Sequence, residues 1–171
     1  MTTRRSARRA WLFLLAMATA GCAAVRSSTT EPRINRAEVI EVVDGDTVRL
    51  DVAGRIENVR LIGIDTPETK HPTRGVECYG PEAASFLTAL LPPGTVLRVE
   101  RDAQARDAYG RLLLYVYVAH VDGERFINLE IVARGLARPL SIEPNVRYEH
   151  NFVDAAFDAQ RNSRGLWAAC K

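Results

Sequence analysis

Val43-Asp44-Gly45-Asp46-Thr47-Val48-Arg49-Leu50-Asp51-Val52 reads as the end of one strand, a tight turn and a second strand. Val48, Leu50 and Val52 alternate with Thr47, Arg49 and Asp51, the period of two that turns one strand face to a core and the other to water. Upstream, Val39-Ile40 and Val42-Val43 supply the partner strand, and Asp44-Gly45 marks the turn. Downstream, Val59 to Ile64 reads as a third strand. Residues 66–79 hold two prolines and a glycine and read as a loop. Pro81 opens a helix at a position that needs no N–H. Ala83, Phe86, Leu87, Leu90 and Leu91 give that helix one apolar face, and Pro92-Pro93-Gly94 ends it. Thr95 to Glu100 and Leu112 to Ala119 are further strands, and Asp122-Gly123 is a turn. Asn128 is expected to cap a short helix that stops at Gly135. A last helix is expected from about Asn145 to Asn162, with Tyr148, Phe152, Ala156 and Ala159 inward. Five short strands with inserted and terminal helices predict an α+β fold that is mainly β barrel, a five-stranded OB barrel with three helices.

The 171 residues suffice for one domain, and 47% apolar with 26% charged residues is a globular balance. That composition excludes a disordered chain, a collagen-like chain and a multispan membrane protein. The net charge of +2 misleads, because residues 1–22 carry Arg4, Arg5, Arg8 and Arg9 and no acid. The rest holds 19 basic against 21 acidic residues, a net of −2. Such a domain cannot hold nucleic acid through a bulk positive field. Any phosphate chemistry must rest on a few placed groups.

The four arginines precede an apolar run, Ala10 to Ala20, too short to span a bilayer and suited to the core of a signal peptide. Two readings of its end stay open. Ala18-Thr19-Ala20 has the small-x-small form of ordinary cleavage. Thr19-Ala20-Gly21-Cys22 resembles a lipoprotein box, with Cys22 lipidated and a membrane anchor as the result. The pairs Arg4-Arg5 and Arg8-Arg9 also resemble a twin-arginine signal. Residues 23–37 read as a linker and 38–171 as the domain. With Cys22 lipidated or removed, Cys78 and Cys170 remain. In an exported protein such a pair usually bonds, and two free thiols are the alternative.

Several polar residues are not needed by this scaffold. Asp44 and Asp46 flank the first turn; Asp65 and Glu68 lie at the exit of the third strand. Each pair alone is ordinary turn chemistry. Together they set carboxylates near one point, which repel unless a cation lies between them. An oxygen-only set without Cys or His points to Ca²⁺ or Mg²⁺ rather than Zn²⁺. An EF-hand is excluded, because the third ligand position and the following glycine are wrong. Arg60 inside a strand and Arg111 at a strand start either pair with nearby acids or form a fork for a phosphate. A hard cation, two arginines and a spare carboxylate suit phosphodiester hydrolysis.

The chain resembles the thermonucleases, the calcium-dependent micrococcal nuclease family. The resemblance lies in Val43-Asp44-Gly45-Asp46-Thr47-Val48, in the run from Arg60 through Asp65-Thr66-Pro67-Glu68 to Lys70-His71-Pro72, and in Gly75-Val76-Glu77-Cys78-Tyr79-Gly80-Pro81-Glu82-Ala83. It continues in Asp107-Ala108-Tyr109-Gly110-Arg111, Arg134-Gly135-Leu136-Ala137 and Gly165-Leu166-Trp167. These blocks run in family order over about residues 38–168. The resemblance implies one Ca²⁺ held by Asp46, Asp65 and the Thr66 carbonyl, with Asp44 in support. It implies Glu68 as general base or water-positioning group, Arg60 and Arg111 on the phosphate, and Tyr109 on a terminal phosphate. It implies the OB barrel, a monomer, and endonucleolytic cleavage of single-stranded DNA and RNA to 3′-phosphates.

Three departures stand out. Ala108 replaces a frequent Lys. Leu140 and Ile142 fall nearest the places of two tyrosines that pack on the nucleotide base, and the segment needs a one-residue gap. Two non-catalytic readings remain beside the nuclease: an OB-fold nucleic-acid-binding module, and an exported barrel that binds another partner. The first is marked by loss of the Asp, Arg or Glu positions, and the second leaves Arg60 and Arg111 unexplained.

Overall fold

The computed structural model describes residues 35–69 and 75–170. The leader at 1–22 with Cys22, nearly all of the linker, and Lys70-His71-Pro72 lie outside the described residues. Among the described residues, no helix is long and apolar enough to cross a membrane.

Strands β1 (Arg36–Asp44), β2 (Thr47–Val52) and β3 (Arg55–Leu61) form an antiparallel meander. Val48, Leu50 and Val52 on β2 are buried while their neighbours are half-exposed. A short β4 (Gly63–Asp65) leads through the loop to α1 (Gly80–Leu90), which buries Ala83 and Leu87. Then come β5 (Val96–Glu100), β6 (Leu112–His120), β7 (Gly123–Phe126), α2 (Ile127–Ala133), β8 (Arg138–Leu140), α3 (Glu149–Arg161) and a single turn, α4 (Leu166–Ala169).

The main sheet runs β3-β2-β1-β5-β6-β7, and β6 returns to pair with β3 in parallel, Arg60 opposite Leu113. That return closes β1, β2, β3, β5 and β6 into the five-stranded OB barrel, which leaves no open edge between them. β7 extends the sheet outward from β6. The core is continuous from Leu50, Leu61 and Leu114 inside the barrel to Ile131 and Phe152 on α2 and α3. β4 and β8 make a separate antiparallel pair with Asp65 opposite Arg138.

The structure adjusts the expected elements. The third strand begins at Arg55, not Val59, and breaks at Ile62 before β4. Its hairpin turn is Ala53-Gly54, with φ of 55° and 82°. Hairpins of this kind need positive φ at both turn residues and usually signal it with Asn or Asp before Gly, so Ala-Gly hides the turn. β7 was hidden by its two charges; Glu124 accepts a 2.7 Å bond from Arg98 of β5. Asn128 is no cap: it lies inside α2, fully buried, accepting from the Val116 N–H at 3.0 Å and donating to the Ile62 carbonyl at 2.9 Å. A buried amide needs such partners, and these fasten α2 to β6 and to the β3–β4 junction. The long helix begins at Glu149 rather than Asn145, whose side chain instead bonds both backbone groups of Gln104. α4 is an additional helical turn.

Candidate active site

The corner where the β1–β2 turn meets the end of β4 is built by hydrogen bonds. Asp46 is 8% exposed. Its Oδ2 accepts from the Thr66 backbone N–H and hydroxyl, both at 3.1 Å, and its Oδ1 from the Thr47 hydroxyl at 3.0 Å. Gly45 is required beside it, because a Cβ there would stand 2.7 Å from the Thr66 Oγ1. Arg60 reaches this corner from β3. Its Nη1 donates to the carbonyls of Leu61 and Ile64, both at 2.8 Å. Its Nη2 meets Asp46 at 3.0 Å and Asp65 at 3.2 Å. One guanidinium nitrogen therefore joins the two carboxylates. The Asp65 carboxyl lies above its ordinary pKa: loss of water raises it, Arg60 opposes, and Asp46, Glu77 and Glu68 add to the rise.

A second chain of bonds carries Asp44 and Glu68. Asp44 accepts from the Gly45 N–H at 2.8 Å and the Thr69 hydroxyl at 2.9 Å. Glu68 Oε1 accepts from the Thr69 N–H at 2.9 Å. The Glu68 backbone exchanges two bonds with Glu77: its N–H donates to Glu77 Oε2 at 3.1 Å, and its carbonyl accepts from the Glu77 N–H at 2.8 Å. Cys78 is bonded to Cys170, with Cα atoms 5.9 Å apart.

Beyond Arg60 opens a groove of about 380 Å³ lined by Arg60, Asp107, Ala108, Tyr109, Arg111, Leu140 and Ile142. Arg111 is aimed by Asp107, which accepts from its Nε at 2.7 Å and its backbone N–H at 2.9 Å. Tyr109 is 86% exposed, with the Arg111 guanidinium 5.5 Å from its ring centre. Leu140 and Ile142, both exposed, complete the apolar part of the lining. The structure thus gathers Asp46, Arg60, Asp65 and Thr66 at one point, ties Asp44 at the end of β1 to Glu68 on the adjoining loop through Thr69, and puts Tyr109, Arg111, Leu140 and Ile142 in the groove that Arg60 shares.

Comparison with known proteins gives the family. A family model described as staphylococcal nuclease homologue matches residues 58–169. The chain belongs to the staphylococcal nuclease family. It is 39% identical to a thermonuclease of Staphylococcus hyicus over 131 residues, 77% of this chain and 75% of that one. It is 37% identical to the thermonuclease of Staphylococcus intermedius over 142 residues, 83% and 82% of the two chains. An SPbeta prophage-derived endonuclease of Bacillus subtilis is 38% identical over 128 residues, 74% of this chain and 42% of that protein. The protein is therefore a nuclease, a hydrolase of phosphodiester bonds whose substrate is nucleic acid, and its family implies a divalent metal.

The corner of this nuclease fits such an ion. Among the described residues no three of His, Cys, Asp and Glu form a cluster. The Asp46 and Asp65 carboxylates meet at one nitrogen of Arg60, and oxygen donors of this kind suit a hard cation. Two residues of the site escaped the sequence reading. Asp107 had a signal, its four-residue spacing to Arg111. Glu77 had none, because its contact with Glu68 crosses a loop.

Proposed function

We propose that this nuclease is an exported, calcium-dependent endonuclease that cuts single-stranded DNA and RNA, leaving 3′-phosphate and 5′-hydroxyl ends. The observation that carries the reading is the position of Arg60, which joins Asp46 and Asp65 at one end of a groove and shares that groove with Arg111. Asp46, Asp65 and the Thr66 carbonyl would hold one Ca²⁺, with Asp44 in support. When bound, the ion supplies positive charge next to the scissile phosphate.

The remaining work falls to the chain. Arg60 and Arg111 bind the non-bridging phosphate oxygens and offset the charge that grows as phosphorus takes a fifth oxygen. Glu68 orients a water and accepts its proton. The water oxygen bonds to phosphorus and the bond from phosphorus to the 5′ oxygen breaks; Arg111 offsets the charge on that oxygen, which takes its proton from solvent water. Tyr109, Leu140 and Ile142 bind the flanking nucleotide. Apolar Leu140 and Ile142 give contact without π-stacking, so the flanking base is held weakly. The arginine-rich leader and the disulfide, a bond typical of oxidising compartments, support export. A monomeric mature chain, either lipid-anchored at Cys22 or released by ordinary cleavage, completes the proposal.

The test is cleavage of denatured DNA by the mature chain with calcium and with chelator, followed by analysis of the new ends. Calcium-dependent cutting with 3′-phosphate ends is expected. Cutting that survives chelation, or 5′-phosphate ends, overturns the reading.

A further inference from the structure

The one disulfide among the described residues is joined to the loop that carries Glu68. Cys78 follows Glu77, whose carboxylate and N–H grip both backbone groups of Glu68. Cys170 sits on a firm support. Its N–H donates to the Leu166 carbonyl at 3.0 Å; Leu166 is buried and its own N–H donates to Gly135 at the end of α2 at 2.8 Å. A hollow of about 210 Å³ is lined by Asp65, Thr66, Glu77, Cys78 and Cys170 together. The bond therefore runs from the α4 turn to the residue next to Glu77, which bonds the Glu68 backbone.

We propose that Glu77, held by the Cys78–Cys170 disulfide, positions Glu68, so that this nuclease reaches full turnover only when the two cysteines are bonded. Glu77 touches no substrate; it is a positioning residue. The inference rests on the assignment of Glu68 to the attacking water. Forming the bond takes two electrons and two protons from the Cys78 and Cys170 thiols and passes them to a disulfide exchange partner, which becomes a dithiol. In a reducing compartment the loop loses its tether and the Glu68 carboxylate its fixed place. The chain is then a slow nuclease where it is made and a fast one after oxidation.

The experiment measures kcat and KM on denatured DNA for the full mature enzyme before and after dithiothreitol, which closes to its own disulfide as Cys78 and Cys170 become thiols. Assays run well below the melting temperature of each form. Displacing a catalytic group by about 1 Å costs up to ~10²-fold, so a fall in kcat of about tenfold is expected, with KM little changed and recovery on reoxidation. Glu77→Ala, with the disulfide intact, should lose kcat alike, and Glu77→Gln, which keeps an oxygen for the Glu68 N–H, should restore most of it. In a Glu68→Gln background, reduction should leave the residual rate unchanged. An equal proportional loss in that background means a general structural role and overturns the inference. Glu68→Gln with wild-type turnover overturns instead the assignment of Glu68. If the reduced protein loses its native circular dichroism, Glu77→Ala decides alone, and an unchanged kcat there overturns the inference.

Discussion

The two arginines of this nuclease live in different surroundings. Arg60 has a side chain 14% exposed and is held by two carbonyls and two carboxylates. Arg111 is 32% exposed, and its side chain is steered by Asp107 beside an open tyrosine ring. The first belongs to a corner whose polar groups bond one another before any substrate arrives. The second belongs to a groove with one exposed aromatic and two exposed aliphatic side chains. Preorganised charge serves the transition state, whereas affinity for the rest of the strand depends on what the groove offers. On the proposed roles the two arginines serve the chemical step from opposite surroundings, while Tyr109, Leu140 and Ile142 are left to hold the strand in the groove that both arginines line.

The largest expected effect is on turnover. Glu68→Gln and Arg111→Ala should each lower kcat by about 10³-fold, the scale for positioned acid–base and electrostatic groups. Steady-state rates on denatured DNA, with the fold checked by circular dichroism, test this; near wild-type turnover in both breaks the assignment of roles. Arg60→Ala should differ from Arg111→Ala in stability. It strands the buried Asp46 carboxylate beside Asp65 without a cation, at roughly 3 kcal/mol. Arg111→Ala gives up a half-exposed pair and should cost under about 1 kcal/mol. Urea midpoints that coincide would erase the contrast between corner and groove.

The groove has its own test. Leu140→Tyr with Ile142→Tyr adds ring faces where the chain now has aliphatic groups. One base stacked on an aromatic ring is worth roughly 1–3 kcal/mol, so KM should fall about fivefold or more at similar kcat. A change in kcat instead would place these side chains at the chemical step. The smallest effect concerns Asp107. Burial raises its pKa, but the side-chain and backbone bonds from Arg111, with its charge and the Tyr109 N–H, outweigh burial and hold it below the ordinary aspartate value. A depressed folded pKa gives stability that is present above the unfolded value and lost as pH falls through the folded one. Asp107→Asn should therefore be slightly less stable at pH near 7, and the gap should close in acid. A gap that stays constant with pH would show that the Asp107 charge does not steady Arg111.

How far the sequence disclosed this molecule depends on the range of the signal. β2 was legible because alternation is local, and α1 because Pro81 and Pro92-Pro93 mark its ends. The barrel followed from the strand count and was strengthened by the resemblance. The β2–β3 turn was not legible, since Ala53 adopts positive φ without the usual residue to announce it. Asn128 had the composition of a cap, and only the packing of α2 against β6 shows that it bonds the interior instead. Within the site, Asp46, Arg60 and Asp65 could be singled out as excess charge. That a single nitrogen of Arg60 links the two aspartates depends on β3 and β4 lying across the β1–β2 turn, which no spacing in the chain records.

The parallel pairing of β3 with β6 also ties the meeting of the two arginines to closure of the barrel. Arg60 faces Leu113 in that register, two residues from Arg111, and the whole of α1 and β5 lies between the paired strands in the chain. Parallel strands need a long crossover, and contacts between distant segments form late in folding. The two arginines therefore come together in the same event that shuts the barrel. A nascent or truncated chain that ends before β6 has neither a closed core nor a site, so synthesis passes most of its length without releasing a working nuclease.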